Sequence, residues 1–251
     1  MILQHRIPYN PLNAVPLPGV KPFDVEQWLR PDEAYAAQTA YREALIAREG
    51  DGVLRMDPTA HSAAHELLEL VLDHRYAGAR VEVTRPDGVV VAIDWQQPLT
   101  TLGRICQEDF CILERPEGSA EHVLTAAVLC FPASWTLAEK FMRPLIGIHD
   151  TVDSYDSRMA TRVQRLFDGV QVGRPLWRFN ALWYHSPELF APRSQHDPRD
   201  QSHGRDAPYL RSEQQVILRL PKCRAVVFSI HSYMLHRDDV MAQWGQETGH
   251  A

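Results

Sequence analysis

The sequence predicts an α+β fold: an antiparallel sheet with helical insertions and an N-terminal helical extension. Three observations carry this. Apolar residues recur with a period of 3.6 near 32–48, 58–74 and 154–167, and with a period of 2 in the runs between. The period-2 runs come in pairs joined by turns rich in Gly and Pro, as in hairpins, so a parallel doubly wound sheet is not expected. The 251 residues are 45% hydrophobic and 23% charged, an ordinary globular composition with length enough for a sizeable core.

Residues 1–22 hold Pro8, Pro11, Pro16, Pro18 and Pro22 with little periodicity, and read as an extended arm on the body or on a partner. In the first helix, Ala37, Tyr41, Ala44 and Leu45 recur at helical spacing. The second opens on Asp57-Pro58, an N-cap followed by proline at the first helical position, and shows the stripe Ala64, Leu67, Leu68, Val71 and Leu72. Strands near 81–84 and 89–93 flank Arg85-Pro86-Asp87-Gly88, and strands near 109–114 and 122–131 flank residues 115–119. Thr136-Leu137-Ala138-Glu139 is a capping box opening a short helix that stops before Pro144. The third long helix, 154–167, closes on Gly169. Strands near 176–184, 213–220 and 224–234 complete one sheet, and 186–208 form a long polar loop. Residues 1–78 form the arm and extension, 79–240 the core and 241–251 a tail, within a single structural domain.

Composition excludes several classes. The net charge is −6 with no basic block, so no nucleic-acid footprint is present. Cys106, Cys111, Cys130 and Cys223 form no C-x-x-C pair and suit no zinc module; three of them lie in apolar runs, as reduced buried thiols do. The longest apolar stretch, 123–138, is interrupted by Thr125, Pro132, Ser134 and Thr136, too short to span a bilayer. Met1 to Arg6 lacks the pattern of a signal peptide, and a soluble, cytoplasmic protein is expected. There is no Gly-rich phosphate loop.

Four segments carry possible chemistry. His61 and His65 lie four apart on a helix, the spacing of a metal pair, yet they also edge the core, and no third ligand is implied. His149 follows Ile146, Gly147 and Ile148, which would give apolar walls and close backbone approach, though a satisfied loop histidine reads the same way. In the strand 176–184, alternation puts Trp177, Phe179 and Trp183 on one face, and Arg178 and Asn180 on the other between Leu176 and Leu182. An Arg among leucines needs either a paired acid, such as Glu213 or Asp109, or an anionic ligand, so the Arg178 face is expected to look toward the ligand. Glu213, Gln215 and Arg219 share a face, and His231 shares one with Ser229 and Tyr233. Together they form either a polar cluster on one side of the sheet or a solvated surface.

Several blocks, in order, resemble the haem-dependent oxidative N-demethylases. They are Gln107-Glu108-Asp109-Phe110-Cys111-Ile112-Leu113, Pro132-Ala133-Ser134-Trp135, Glu139-Lys140 and Leu145-Ile146-Gly147-Ile148-His149. Arg178-x-Asn180 follows, then Leu210-Arg211-Ser212-Glu213-Gln214-Gln215, Arg219-Leu220-Pro221, and the run from Val226 to Tyr233. The resemblance implies a PAS-like sheet holding haem b, and O2-dependent removal of a methyl group from a small secondary amine such as dimethylamine, giving formaldehyde and a primary amine. It implies a partner reductase subunit carrying FMN, a 2Fe-2S cluster and NADPH, and a folate-binding subunit that accepts formaldehyde. Self-association is left open.

Within that family reading His149 is the expected axial ligand of the haem iron, with His231 second. Arg178, Arg211 and Arg219, with Asn180 beside them, are the propionate partners, and Glu213 or Asp109 holds the cationic amine and accepts its proton. Two positions depart from the family pattern. Ala181 stands where a Trp is usual, and His231 where an Arg is usual, which removes a fixed charge. The competing readings are a non-catalytic haem-binding PAS-like sensor and a metal-dependent hydrolase built on His61 and His65.

Overall fold

The computed structural model describes residues 1–13, 18–149, 157–194, 196–197 and 206–246; the side chains of 149, 157, 158 and 160 fall outside the description. The fold is α+β, built on a seven-stranded antiparallel sheet in the order β1-β7-β8-β9-β5-β6-β2. Its strands are β1 (Lys21–Pro22), β2 (Leu54–Met56), β5 (Asp109–Glu114), β6 (Val123–Val128), β7 (Leu176–Tyr184), β8 (Tyr209–Arg219) and β9 (Val226–His236). A second, two-stranded sheet pairs β3 (Glu82–Thr84) with β4 (Val90–Ala92).

The expected single sheet is therefore corrected. The 82–92 hairpin closes on its own turn, where Gly88 at φ +83° lets its N–H reach the Arg85 carbonyl, 2.9 Å away. Of its apolar side chains only Val83 and Val91 are buried, and they pack into the core beside the helices, outside the large sheet. β1 and β2 take the outer places instead, pairing with β7 and β6. In β6 one extra residue, Thr125, shifts the pairing from Ile112–Ala126 to Leu113–Leu124.

Each face of the large sheet has its own core. On the first pack α1 (Tyr35–Glu49), α2 (His61–Arg75) and α3 (Pro98–Ile105), burying Leu67, Leu68, Val71, Leu99 and Leu102 against Phe110, Ile112, Val216 and Val227. Gly103 permits the closeness of α3, because a Cβ there would lie 2.6 Å from Ile46 Cδ1 and 3.0 Å from Val128 Cγ2. On the second face lie α4 (Leu137–Lys140), α5 (Leu145–His149) and α6 (Ser157–Gly169), over Cys111, Leu113, Ala127, Ile217, Val226 and Ile230. At about 25 cal/mol per Å² of apolar area, these two layers supply most of the driving force for folding.

Three elements differ from expectation. The Thr136 hydroxyl bonds the Glu139 carboxylate (2.9 Å) and not a backbone N–H, and α4 lasts only four residues. The segment that ends on His149 is not a loop: it is α5, whose Ile148 N–H bonds the Pro144 carbonyl at 3.0 Å. The expected tail holds α7 (Arg237–Trp244), which starts before it. The arm lies on the body: Gln4 exchanges bonds with Met234, Ile7 is buried, and the Tyr9 ring stacks on Phe179 at 4.7 Å.

Candidate functional site

The β7–β8 register sets Arg178 opposite Gln215 and Asn180 opposite Glu213, so all four side chains share the second face of the sheet. They are linked in a row. Arg178 Nη1 donates to Gln215 Oε1 (2.6 Å), Gln215 Nε2 donates to Glu213 Oε2 (3.0 Å), and Asn180 Nδ2 donates to the same oxygen (3.0 Å). The Glu213 N–H donates to Asn180 Oδ1 at 3.1 Å, which fixes the orientation of that amide. Glu213 Oε1 is left 3.6 Å from Arg211 Nη2, beyond hydrogen-bond reach.

Three polar atoms in this patch are buried without a partner: Arg178 Nε, Arg211 Nε and Ser232 Oγ. Ser232 stands opposite Glu213 in β9 and belongs to the same face. Two guanidinium groups thus surround one carboxylate, and burial lowers the pKa of Arg178, opposed by the charge of Glu213. A buried cation with an unfilled donor invites an anion.

Apolar elements rise beside this polar floor. Ile217, Ile230 and Leu176 form its continuation, with Ile148 of α5, Val163 and Leu166 of α6, and Trp135 packed against the same cluster. Trp135 is aimed by the segment 131–136, in which Ser134 adopts φ +62° and donates its N–H to the Ala191 carbonyl at 3.0 Å. The loop containing Leu189 and Ala191 is bound to this segment, since Ala191 N–H donates to Pro132 O (3.2 Å).

The structure separates the expected site residues. Arg178, Asn180, Arg211 and Glu213 are together. Arg219 shares their face, but its donors are spent on the carbonyls of Val170, Phe167 and Arg224, closing the C-terminal end of α6. Asp109 is committed as well: it pairs with the buried Arg42 (2.5 Å) and accepts the N–H groups of Cys130 (2.7 Å) and Phe131 (2.9 Å). Both of its oxygens are thus engaged by groups of the fold. Neither the Arg42 partner nor the orphaned Ser232 hydroxyl has a sequence signal; Gln215 showed only as a face neighbour.

His231 pairs with Gln214, so it lies on the first face of the sheet, opposite to Glu213. The expected single polar cluster is therefore two clusters, one per face. The His231 ring is buried between Glu108 Oε1 (2.9 Å from Nδ1) and Asp32 Oδ2 (3.0 Å from Nε2). Burial alone would depress its pKa, but these two carboxylates lift it to about 10. Both ring nitrogens are engaged by carboxylates, on the sheet face opposite to α5, so neither is turned toward the second-face core. The protonated ring also restores the charge that replacing an arginine was expected to remove.

His149 closes α5, whose Leu145 and Ile148 pack on the second-face core; its side chain lies outside the described residues. A Cβ at Gly147 would meet only ordinary contacts, the nearest at 3.7 Å, so packing does not require glycine there. The His65 ring lies 4.7 Å from that of Trp95, and among the described residues no group of three or more His, Cys, Asp or Glu is placed to hold a metal. Nor, among them, is any helix long and apolar enough to cross a membrane.

A family model described as haem-dependent oxidative N-demethylase, alpha subunit-like, matches residues 19–248. That span takes in both sheets and every residue of the polar floor, and the chain belongs to this family.

Proposed function

From that membership we propose that this chain is the haem b-bearing subunit of an oxidative N-demethylase. Its substrate is a small secondary amine such as dimethylamine, and electrons reach it from a separate flavin and iron–sulfur reductase subunit that uses NADPH. A folate-binding subunit that takes up the formaldehyde is part of the same proposal, as are a PAS-like topology and a cytoplasmic location. The observation that carries the reading is the orphaned Nε of Arg178 beside a buried Glu213, on the sheet face that also carries α5.

The residues on this face suit a haem. Arg178 offers a buried, unfilled donor for a propionate, with Arg211 Nε as a second. Ile148, Ile217, Ile230 and Trp135 give apolar walls for a macrocycle. His149 would supply the imidazole, since α5 runs along this core. When bound, the haem supplies the oxygen activation that oxidises the N-methyl group.

The chain's own residues bind and orient the amine. Glu213 accepts an N–H of the protonated substrate on Oε1, while Asn180 and Gln215 hold Oε2 and so fix the carboxylate plane. Glu213 then takes up the proton that the amine must lose before oxidation. The apolar walls exclude water from the methyl group.

Purified protein supplied with haem and a suitable reductase should show a Soret band and release formaldehyde from dimethylamine with NADPH and O2. A Soret band without formaldehyde from any N-methylamine would leave haem binding without demethylation and overturn the proposal.

A further inference from the structure

Ser232 is 1% exposed and its hydroxyl has no hydrogen-bond partner, so it bears the desolvation penalty with no return in the protein alone. The Ser232 carbonyl accepts Nε2–H bonds from Gln4 (3.2 Å) and Gln38 (3.0 Å), which pin the backbone at this residue. Directly opposite stands Glu213, and paired residues in an antiparallel ladder have Cβ atoms about 4.5–5.5 Å apart. A carboxylate oxygen that makes no hydrogen bond, only a 3.6 Å ion pair with Arg211 Nη2, and a hydroxyl without a partner thus lie on one face at neighbouring positions.

We infer that Ser232 is a specificity-determining residue, the second acceptor for the protonated amine beside Glu213. The inference rests on the reading that Glu213 holds the amine. A secondary ammonium has two N–H groups: Glu213 Oε1 takes one and Ser232 Oγ takes the other. A tertiary ammonium has one N–H, and once Glu213 has taken it, a methyl group faces the buried hydroxyl and leaves it unpaired. A site built to hydrogen-bond a group rejects the analogue that lacks it. The pair therefore selects secondary over tertiary amines, and the substrate's two methyl groups are left to the apolar walls.

Calorimetric titration of the haem-loaded protein with dimethylammonium chloride and with trimethylammonium chloride tests this. Wild-type protein should bind dimethylammonium more tightly. Ser232→Ala should weaken dimethylammonium by about tenfold, the scale of one charged hydrogen bond, and leave trimethylammonium within about twofold. Ser232→Thr, which keeps the hydroxyl, should retain the preference. The melting temperature of Ser232→Ala should not fall, because an unpartnered hydroxyl stabilises nothing; a structural role would lower it. Equal weakening of both amines, or no change in either, overturns the inference. Glu213→Gln separates the two levels. If it loses both amines while Ser232→Ala changes neither, the Ser232 inference alone falls; if it binds both like the wild type, the Glu213 reading falls and takes this one with it.

Discussion

The buried His231 ring and the half-buried Asp32 carboxylate form an ion pair, with Nε2 3.0 Å from Oδ2, that fastens the start of the helical extension to the last strand. Glu108 holds the other ring nitrogen at 2.9 Å, and Tyr233 lies against the ring with centroids 4.6 Å apart. Asp32 also accepts from Gln4 and Gln107, so arm, extension and sheet meet at one carboxylate. Burial would raise the Asp32 pKa, but the bonds and charge of His231, with these amides, hold it near 2.

A stability profile with a defined sign follows from this pair. The folded pKa of His231 is about 10, above the unfolded value, so its contribution is fully present below pH 6.5 and lost as pH rises through 10. The unfolding free energy measured in urea should therefore decline from pH 7 to pH 10. Replacing His231 with Arg, which cannot lose its charge, should flatten that decline. Replacing it with Gln should cost about 3 kcal/mol at pH 7, since the buried Glu108 and the half-buried Asp32 lose their cation. An unchanged slope in His231→Arg would mean that the loss at high pH arises elsewhere.

Asp109→Asn should destabilise the protein by about 3 kcal/mol, because the fully buried Arg42 is left without its counter-charge. The haem spectrum and amine affinity of the molecules that do fold should match the wild type. Wild-type stability combined with lost amine binding would return Asp109 to the site.

Much of the sheet is legible in the sequence, because β5 to β9 are long enough to display a period of 2. The face shared by Arg178, Asn180, Glu213 and Gln215 follows from that alternation once β7 and β8 pair in register. What alternation cannot supply is the relative parity of strands. His231 falls on the opposite face because Gln214, not Glu213, is its partner, and nothing local in either strand sets that step. Placement of the 82–92 hairpin fails for a similar reason: its turn dictates pairing but not which sheet the pair joins. β1 and β2, of two and three residues, are too short for any period. α3, at eight residues, spans barely two turns and is too short for its period to stand out, while α7 buries only Val240 and shows no apolar stripe.

Arg178→Gln should weaken haem binding by about tenfold, the loss expected for one charge-assisted bond to a propionate. The melting temperature of the haem-free protein should hold or rise, since an orphaned buried donor and its charge are removed. A marked fall in melting temperature with unchanged haem affinity would show that the Arg178–Gln215 bond serves only the sheet.

The most direct test of the haem placement is a titration of haem into His149→Ala protein, followed by absorbance, with His231→Arg protein alongside. The account predicts that His149→Ala fails to form the wild-type Soret band at stoichiometric haem, while His231→Arg forms it unchanged. A wild-type Soret maximum and stoichiometry in His149→Ala would contradict the account and place the iron ligand elsewhere in the chain.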